Sequence, residues 1–356
     1  MEIEALPAWA RERGVRIRRW LDGTRTEFVV QPHDLGTARL PGGEIMRIEQ
    51  DAITTPGPRE YRIHQPVTLS VEESGNSTWS GLLNRWLQPI QVLLWIATAE
   101  AGRTERLDLL VPQEGPVGST WAKLWVPLVE PPRRTSRELT SHDVLLFADE
   151  MPGGFGPGMA RWFNLWLELR HVLGPLYARA SAPFGYANDR FYTAVAAIEA
   201  YHRYCVESDG DLPRQEHSER VDRLDRILAE HAPDLREWAT NAARPFNRIP
   251  LWRRITQIAA VLERMTGGMF GDRVDEFAQA VEAARHGHAH ALSRRGSIQD
   301  GPDLYVAADA LVWLLRACVM IDLGLSVEEA EERVIQHERF AWMTHQLASL
   351  LAWLDQ

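Results

Sequence analysis

Apolar residues recur along this chain with two different periods, and the change of period divides it. Up to about residue 150 short runs alternate between apolar and polar: Thr26-Glu27-Phe28-Val29-Val30, Val67-Thr68-Leu69-Ser70-Val71, Leu107-Asp108-Leu109-Leu110-Val111, and Trp121 to Val126. A period of two marks half-buried strands. One stretch in this region breaks the alternation. From Trp79 to Ala99 the apolar positions Leu82, Leu83, Trp86, Ile90, Leu93 and Leu94 fall at helical spacing, and Pro89 predicts a kink. Turn clusters at Pro41-Gly42-Gly43 and Pro56-Gly57-Pro58 punctuate the rest. The densest set of breakers, Met151-Pro152-Gly153-Gly154-Phe155-Gly156-Pro157-Gly158, marks a boundary between a domain of residues 1–150 and one of residues 151–356. Beyond it strand signals nearly vanish. Helical periods predict helices over about 159–181, 188–207, 217–232, 249–266, 272–292, 303–323 and 326–354, the last one broken. The expected fold is α+β, a β-rich N-terminal domain followed by an all-α bundle.

Composition narrows the class without naming an activity. At 356 residues there is room for two domains, each with its own core. The 45% hydrophobic and 25% charged fractions are those of ordinary globular proteins. No run approaches 18 uninterrupted apolar residues, so no membrane-crossing helix is expected. The opening Met-Glu-Ile-Glu lacks the basic-then-apolar order of a signal peptide. Cys205 and Cys318 fall inside helical patterns and read as buried thiols, which suits a reducing, cytoplasmic compartment. A net charge of −10 argues against a broadly basic duplex-binding surface but leaves room for a local one. Lys123 is the only lysine, so nearly every cation is an arginine able to grip a phosphate with two parallel hydrogen bonds.

The chemistry-bearing feature is Arg285-His286-Gly287-His288-Ala289-His290, at the end of an amphipathic helix pattern. It sets a permanent cation five positions before an imidazole that can take and give a proton near neutrality. The spacing alone is weak evidence, since chance supplies roughly one such pair in a chain of this composition. Four occur: Arg59/His64, Arg137/His142, Arg226/His231 and Arg285/His290. The first two fall in the β-rich region and the third on a charge-laced surface helix. Only the fourth is led in by a long apolar face, Val274, Phe277, Ala278, Val281 and Ala284. On an ideal helix Arg285 and His290 would splay by about 140°. Gly287 between them can loosen or end the helix and let both tips reach one phosphate, or meet their copies across a dimer axis. A helix C-terminus occupied by cations against the macrodipole explains the same residues without any activity.

Other readings remain open at this point. His286 and His290 at i, i+4 could hold a zinc ion with His288, giving a zinc-dependent hydrolase, although no HExxH accompanies them. Glu199-Ala200-Tyr201-His202 has half of a di-iron bundle's ligand pattern, but the second half is missing, so an ion pair or a surface contact is preferred. No GxSxG, P-loop or dinucleotide fingerprint is present. Trp162, Trp166, Trp313, Trp342 and Trp353 lie on helical apolar stripes and read as core or dimer-interface residues. Arg244, Arg248, Arg253 and Arg254 precede the motif helix, and Arg294 and Arg295 follow it. Either these are scattered surface arginines, or they form the one positive groove that RNA would need on an acidic protein.

Over roughly residues 30–345 the chain resembles the ApeA-like HEPN proteins, bacterial anti-phage abortive-infection effectors. The resemblance rests on the Arg-polar-x-x-x-His motif at Arg285, His286 and His290. It rests also on the helix from Arg190 to Arg203, with its Ala-x-Glu-x-Tyr-His segment around Glu199 and His202. The position after the motif arginine is most often Asn in that family and is His286 here. The resemblance implies an all-α HEPN-type bundle with no cofactor and no metal. It implies a metal-independent endoribonuclease, a homodimer with a composite site, in which the ribose 2′-OH attacks its own phosphate. His290 would then be the general acid or base and Arg285 the phosphate holder. His286 would orient one of them or share the proton, with His288 nearby and Glu199 pairing with Arg285. Arg253, Arg254, Arg294 and Arg295 would bind RNA, transfer RNA among the candidates. The N-terminal domain would sense a phage-derived trigger. A non-catalytic HEPN dimer that binds RNA or a protein partner would be built from the same parts.

Overall fold

The computed structural model describes residues 1–354 apart from 12–14, 20–25, 31–32, 51–52, 57–60, 65, 74–77, 112–119, 124–138, 183–184, 206–209, 211, 290–297 and 299–300. Among the described residues the strands of the first 150 form only short antiparallel pairings. The largest is a three-stranded sheet of β1 (His33–Arg39), β2 (Ile45–Gln50) and β3 (Val67–Glu72), with β2 in the middle. Met46 stands opposite Ala38 and Val71, and Ile48 opposite Gly36 and Leu69. Met46, Ile48, Ala38, Leu69 and Val67 are buried, so one face of the sheet is core. Two-stranded hairpins join Val15–Arg19 to Thr26–Val30, Ile53–Pro56 to Tyr61–His64, and Asp108–Val111 to Thr120–Lys123.

The expected helix over 79–99 is present in three pieces. Trp79–Leu82 is α-helical, Leu83–Leu87 widens to a π-turn, and α1 (Gln88–Thr98) continues with Pro89 in its first turn. A proline there costs no helical hydrogen bond, and the widened turn before it takes up the irregularity.

Helices dominate after the Met151–Gly158 run, which forms the approach to α2 (Phe155–Ser181). The sheet accepts α2 because of one glycine. A Cβ on Gly36 would sit 2.7 Å from the Phe155 ring, so only glycine lets that ring lie on β1. The packing crosses the run elsewhere as well: Trp162 Nε1 donates to the Pro89 carbonyl (3.1 Å). A single cluster of buried residues extends from Ile3 to Leu351.

The bundle comprises α3 (Ala187–Cys205), α4 (Arg214–His231), α5 (Pro233–Ala243), α6 (Leu251–Val261), α7 (Glu263–Phe270), α8 (Val274–Ala289), α9 (Gly301–Asp322), α10 (Val327–Ile335) and α11 (Glu338–Leu354). Three departures from expectation stand out. Residues 249–266 are not one helix, because Leu262 leaves helical geometry with its side chain fully buried. The buried carboxylate of Glu331 then accepts from the Met265 N–H and caps the new start (2.9 Å). A further helix, α5, follows α4 and packs mainly against it, forming an arm whose large residues are mostly exposed. Finally, Trp342 and Trp353 are 58% and 41% exposed, while Trp162, Trp166 and Trp313 are core.

The apolar helix α9 runs through the centre, packed most closely on α3. By length and hydropathy it could cross a membrane, yet 72% of its apolar window is buried inside the protein. Within it Arg316 is fully enclosed, its guanidinium 5.0 Å from the Trp95 ring centre and 4.5 Å from that of Trp313. Burial pulls its pKa down to about 10, which still leaves a cation bridging α1 and α9 at neutral pH.

Candidate active site

Three helices meet beneath the Arg285 side chain. The stripe predicted for α8 is in place: Phe277, Ala278, Val281 and Ala284 are buried, and Phe277 stacks on Phe270 at 4.7 Å between ring centres. This packing turns Arg285 toward α3, where its Nη2 donates to Glu199 Oε2 at 3.2 Å. The arginine side chain is 38% exposed and the carboxylate 19%. Arg285 is therefore oriented from one side and open on the other, and its remaining N–H groups can meet an anion from solvent.

Of the two options that Gly287 left open, the helix does not take an early end. It runs through that residue to Ala289, with Gly287 buried. Glycine weakens a helix by only about 1 kcal/mol relative to alanine, which the packing of this face offsets. His290 lies outside the described residues, as do Arg294 and Arg295, and the side chain of His288 is likewise undescribed. His286 is exposed. Its Nδ1–H donates to the Glu282 carbonyl one turn back (2.9 Å), so the lone pair of the neutral ring sits on Nε2. The Glu282 side chain faces the other way and accepts from the Leu251 N–H (3.0 Å), capping α6 and fixing it to α8.

Beneath the ion pair lies a layer that the sequence did not foretell. Arg254, expected on a basic surface, is only 9% exposed. Its Nε donates to the Ile249 carbonyl (3.0 Å), and its Nη1 donates to His202 Nδ1 (3.2 Å). His202 is fully buried and passes its Nε2 proton toward Gln257 Oε1 (2.6 Å). Burial, first of all, holds the His202 pKa below its usual value, and Arg254 and Arg203 push the same way against the Gln257 hydrogen bond. A neutral His202 is what the geometry needs, since a protonated Nδ1 could not accept from Arg254. Burial lowers the Arg254 pKa too, with Glu199 opposing. Glu199 thus stands between two cations, one buried and one at the surface. The Glu-x-x-His spacing was visible in the sequence, but nothing local marked Arg254 as its companion.

Arg253 is half-buried, with its guanidinium 5.3 Å from the Trp252 ring centre. The rival pair Arg226/His231 lies exposed on α4, where among the described residues Arg226 reaches only the Asp222 carbonyl of its own helix. Among the described residues no three His, Cys, Asp or Glu side chains gather to hold a metal.

Residues 192–329 match the Apea-like HEPN family. That segment, less than half of the chain, is similar to Apea-like HEPN domains. It takes in most of α3 and runs into α10, so Glu199, His202, Arg254, Arg285 and His286 all lie within the matched segment. No curated protein and no solved structure matches the chain. HEPN domains are in general a nuclease-like family.

Proposed function

We propose that this protein is a metal-independent endoribonuclease acting as a toxin-like effector of anti-phage abortive infection. The observation that carries the reading is Arg285, held by Glu199 on a rigid helix of the matched segment with its open side toward solvent. A positioned arginine can bind the scissile phosphate and offset the charge that develops as the ribose 2′-OH attacks. The bond formed joins O2′ to phosphorus, and the bond broken releases the 5′-oxygen of the next nucleotide. The products are a 2′,3′-cyclic phosphate and a 5′-OH. One group takes the 2′-OH proton and another protonates the leaving oxygen. His290, five residues after Arg285, is assigned one of these duties, and His286 Nε2 the other or a supporting part. In a homodimer the second copy would bring the same set to a composite site. DNA, which lacks the 2′-OH, would be spared. The N-terminal 150 residues would be the sensor that gates the nuclease.

The test is incubation of purified protein with total RNA and transfer RNA in excess EDTA, with analysis of the product ends. Cleavage that leaves cyclic phosphates and is lost in His290→Ala supports the reading. Cleavage that needs a divalent metal, or RNA binding without cleavage even after addition of lysate from phage-infected cells, overturns it in favour of a zinc-dependent hydrolase or a binding dimer.

A further inference from the structure

Between α5 and α6 the chain makes a single 3-10 turn, Arg244–Asn247, and there it exposes Phe246 to 77%. The turn is held firmly. Asn247 Oδ1 accepts from the Leu212 N–H (2.8 Å) and its Nδ2 donates to the Leu212 carbonyl (2.9 Å). The His217 ring donates through Nε2 to the Arg244 carbonyl (3.1 Å). Pro245 fixes its own φ in the same turn. A phenyl ring shown to water on so rigid a support has been given up by the core without being left to fold back on it.

Two exposed arginines flank the ring. Arg248 forms no ion pair among the described residues. Arg244 lies in the field of Asp225, but that carboxylate is already gripped by Arg236 through both oxygens (2.9 and 2.7 Å). Among the described residues no carboxylate is hydrogen-bonded to either guanidinium. Part of the arm's charge is paired internally, as in Arg220 with Glu216 (2.6 Å) and Arg236 with Asp225 (2.7 Å). The turn also leads into the site. Phe246 is five residues from Leu251, no more than about 18 Å along the chain. The Leu251 N–H is bonded to Glu282, one turn before Arg285.

We propose that Phe246, with Arg248 and Arg244 beside it, is a stacking subsite for an unpaired base of single-stranded RNA a few nucleotides from the cleaved phosphate. The inference rests on the ribonuclease reading of Arg285 and adds the substrate class to it. Any base offers a π-face to an aromatic ring, while the arginines take the adjoining phosphates. A base already stacked within an A-form duplex cannot lie on Phe246, so the subsite selects unpaired RNA. Two exposed arginines beside the ring favour a polyanion over an apolar protein surface.

The experiment uses the full-length protein and a fluorescein-labelled 2′-O-methyl RNA, which lacks the attacking hydroxyl and cannot be cut. Anisotropy titrations compare the single strand with its duplex for the parent, Phe246→Ala, Phe246→Trp and Arg248→Ala. Phe246→Ala is expected to weaken single-strand binding about 5- to 150-fold. Phe246→Trp retains it, and the duplex is unaffected by either. Arg248→Ala weakens both forms and lowers the salt slope by about one. Equal single-strand affinity for parent and Phe246→Ala overturns the proposal and leaves the ribonuclease reading standing. The same holds if that variant changes only the oligomeric state on a sizing column, which would make the patch an interface between copies. A parent that binds no RNA sinks both.

Discussion

Two helices of the matched segment carry an arginine followed five residues later in sequence by a histidine, His290 lying outside the described residues, and the two arginines sit in different surroundings. On α4, Arg226 and His231 are exposed, Arg226 among the described residues touches only its own helix, and Val221 is the one buried residue of the element. On α8, Arg285 rides on a face that buries Phe277, Ala278, Val281 and Ala284, and it is met by a carboxylate 86 residues away in sequence. A short motif becomes a site when a second element fixes the side chain and a third supports that element. Here α3 supplies Glu199, and α6, through Arg254 and His202, braces α3.

The largest expected difference between the two helices is in stability. Phe277→Ala empties a fully buried aromatic position and should cost about 3–5 kcal/mol in denaturant unfolding. Val221→Ala on the solvated arm should cost well under half of that. Comparable losses would mean that the arm is part of the cooperative core. A smaller effect tests the orientation of Arg285. Glu199→Gln keeps an acceptor beside Nη2 but removes its charge, and kcat for RNA should drop roughly tenfold with KM little changed. A purely electrostatic account, in which Glu199 competes with phosphate for Arg285, predicts the reverse, a lower KM and unimpaired kcat. The smallest effect is the pH dependence of the brace. The His202 pKa is lower in the folded protein than in the unfolded chain, so its contribution to stability is complete above the ordinary histidine value of about 6.5. It is lost as pH falls through the depressed folded value. Melting temperatures taken from pH 7.5 to 5 should therefore fall more steeply for the parent than for His202→Gln, and matching slopes would remove His202 as the titrating group.

The parts legible in the sequence were those written in local periodicity. The apolar stripe of α8 needs only its own residues to be seen, and so do the strands Thr26–Val30 and Val67–Glu72. The α+β order of the chain follows from where the period changes. The Arg285–Glu199 pairing was anticipated through the family resemblance, because both residues belong to its motif segments. Arg254 was misjudged for a physical reason. An arginine reads as surface unless a buried acceptor is known, and its acceptor, His202, is 52 residues away on another helix. The arm helix α5 escaped notice because hardly any of it is buried, so no apolar stripe marks it. Trp342 and Trp353 fit a helical stripe, but α11 turns that side of the helix outward.

The central claim is that context, and not spacing, makes Arg285 the functional arginine. RNA cleavage in EDTA by the parent, Arg285→Ala and Arg226→Ala tests it most directly. The account predicts a loss of at least about 100-fold in kcat/KM for Arg285→Ala and unchanged activity for Arg226→Ala. Equal activity in all three, or a loss confined to Arg226→Ala, would contradict it.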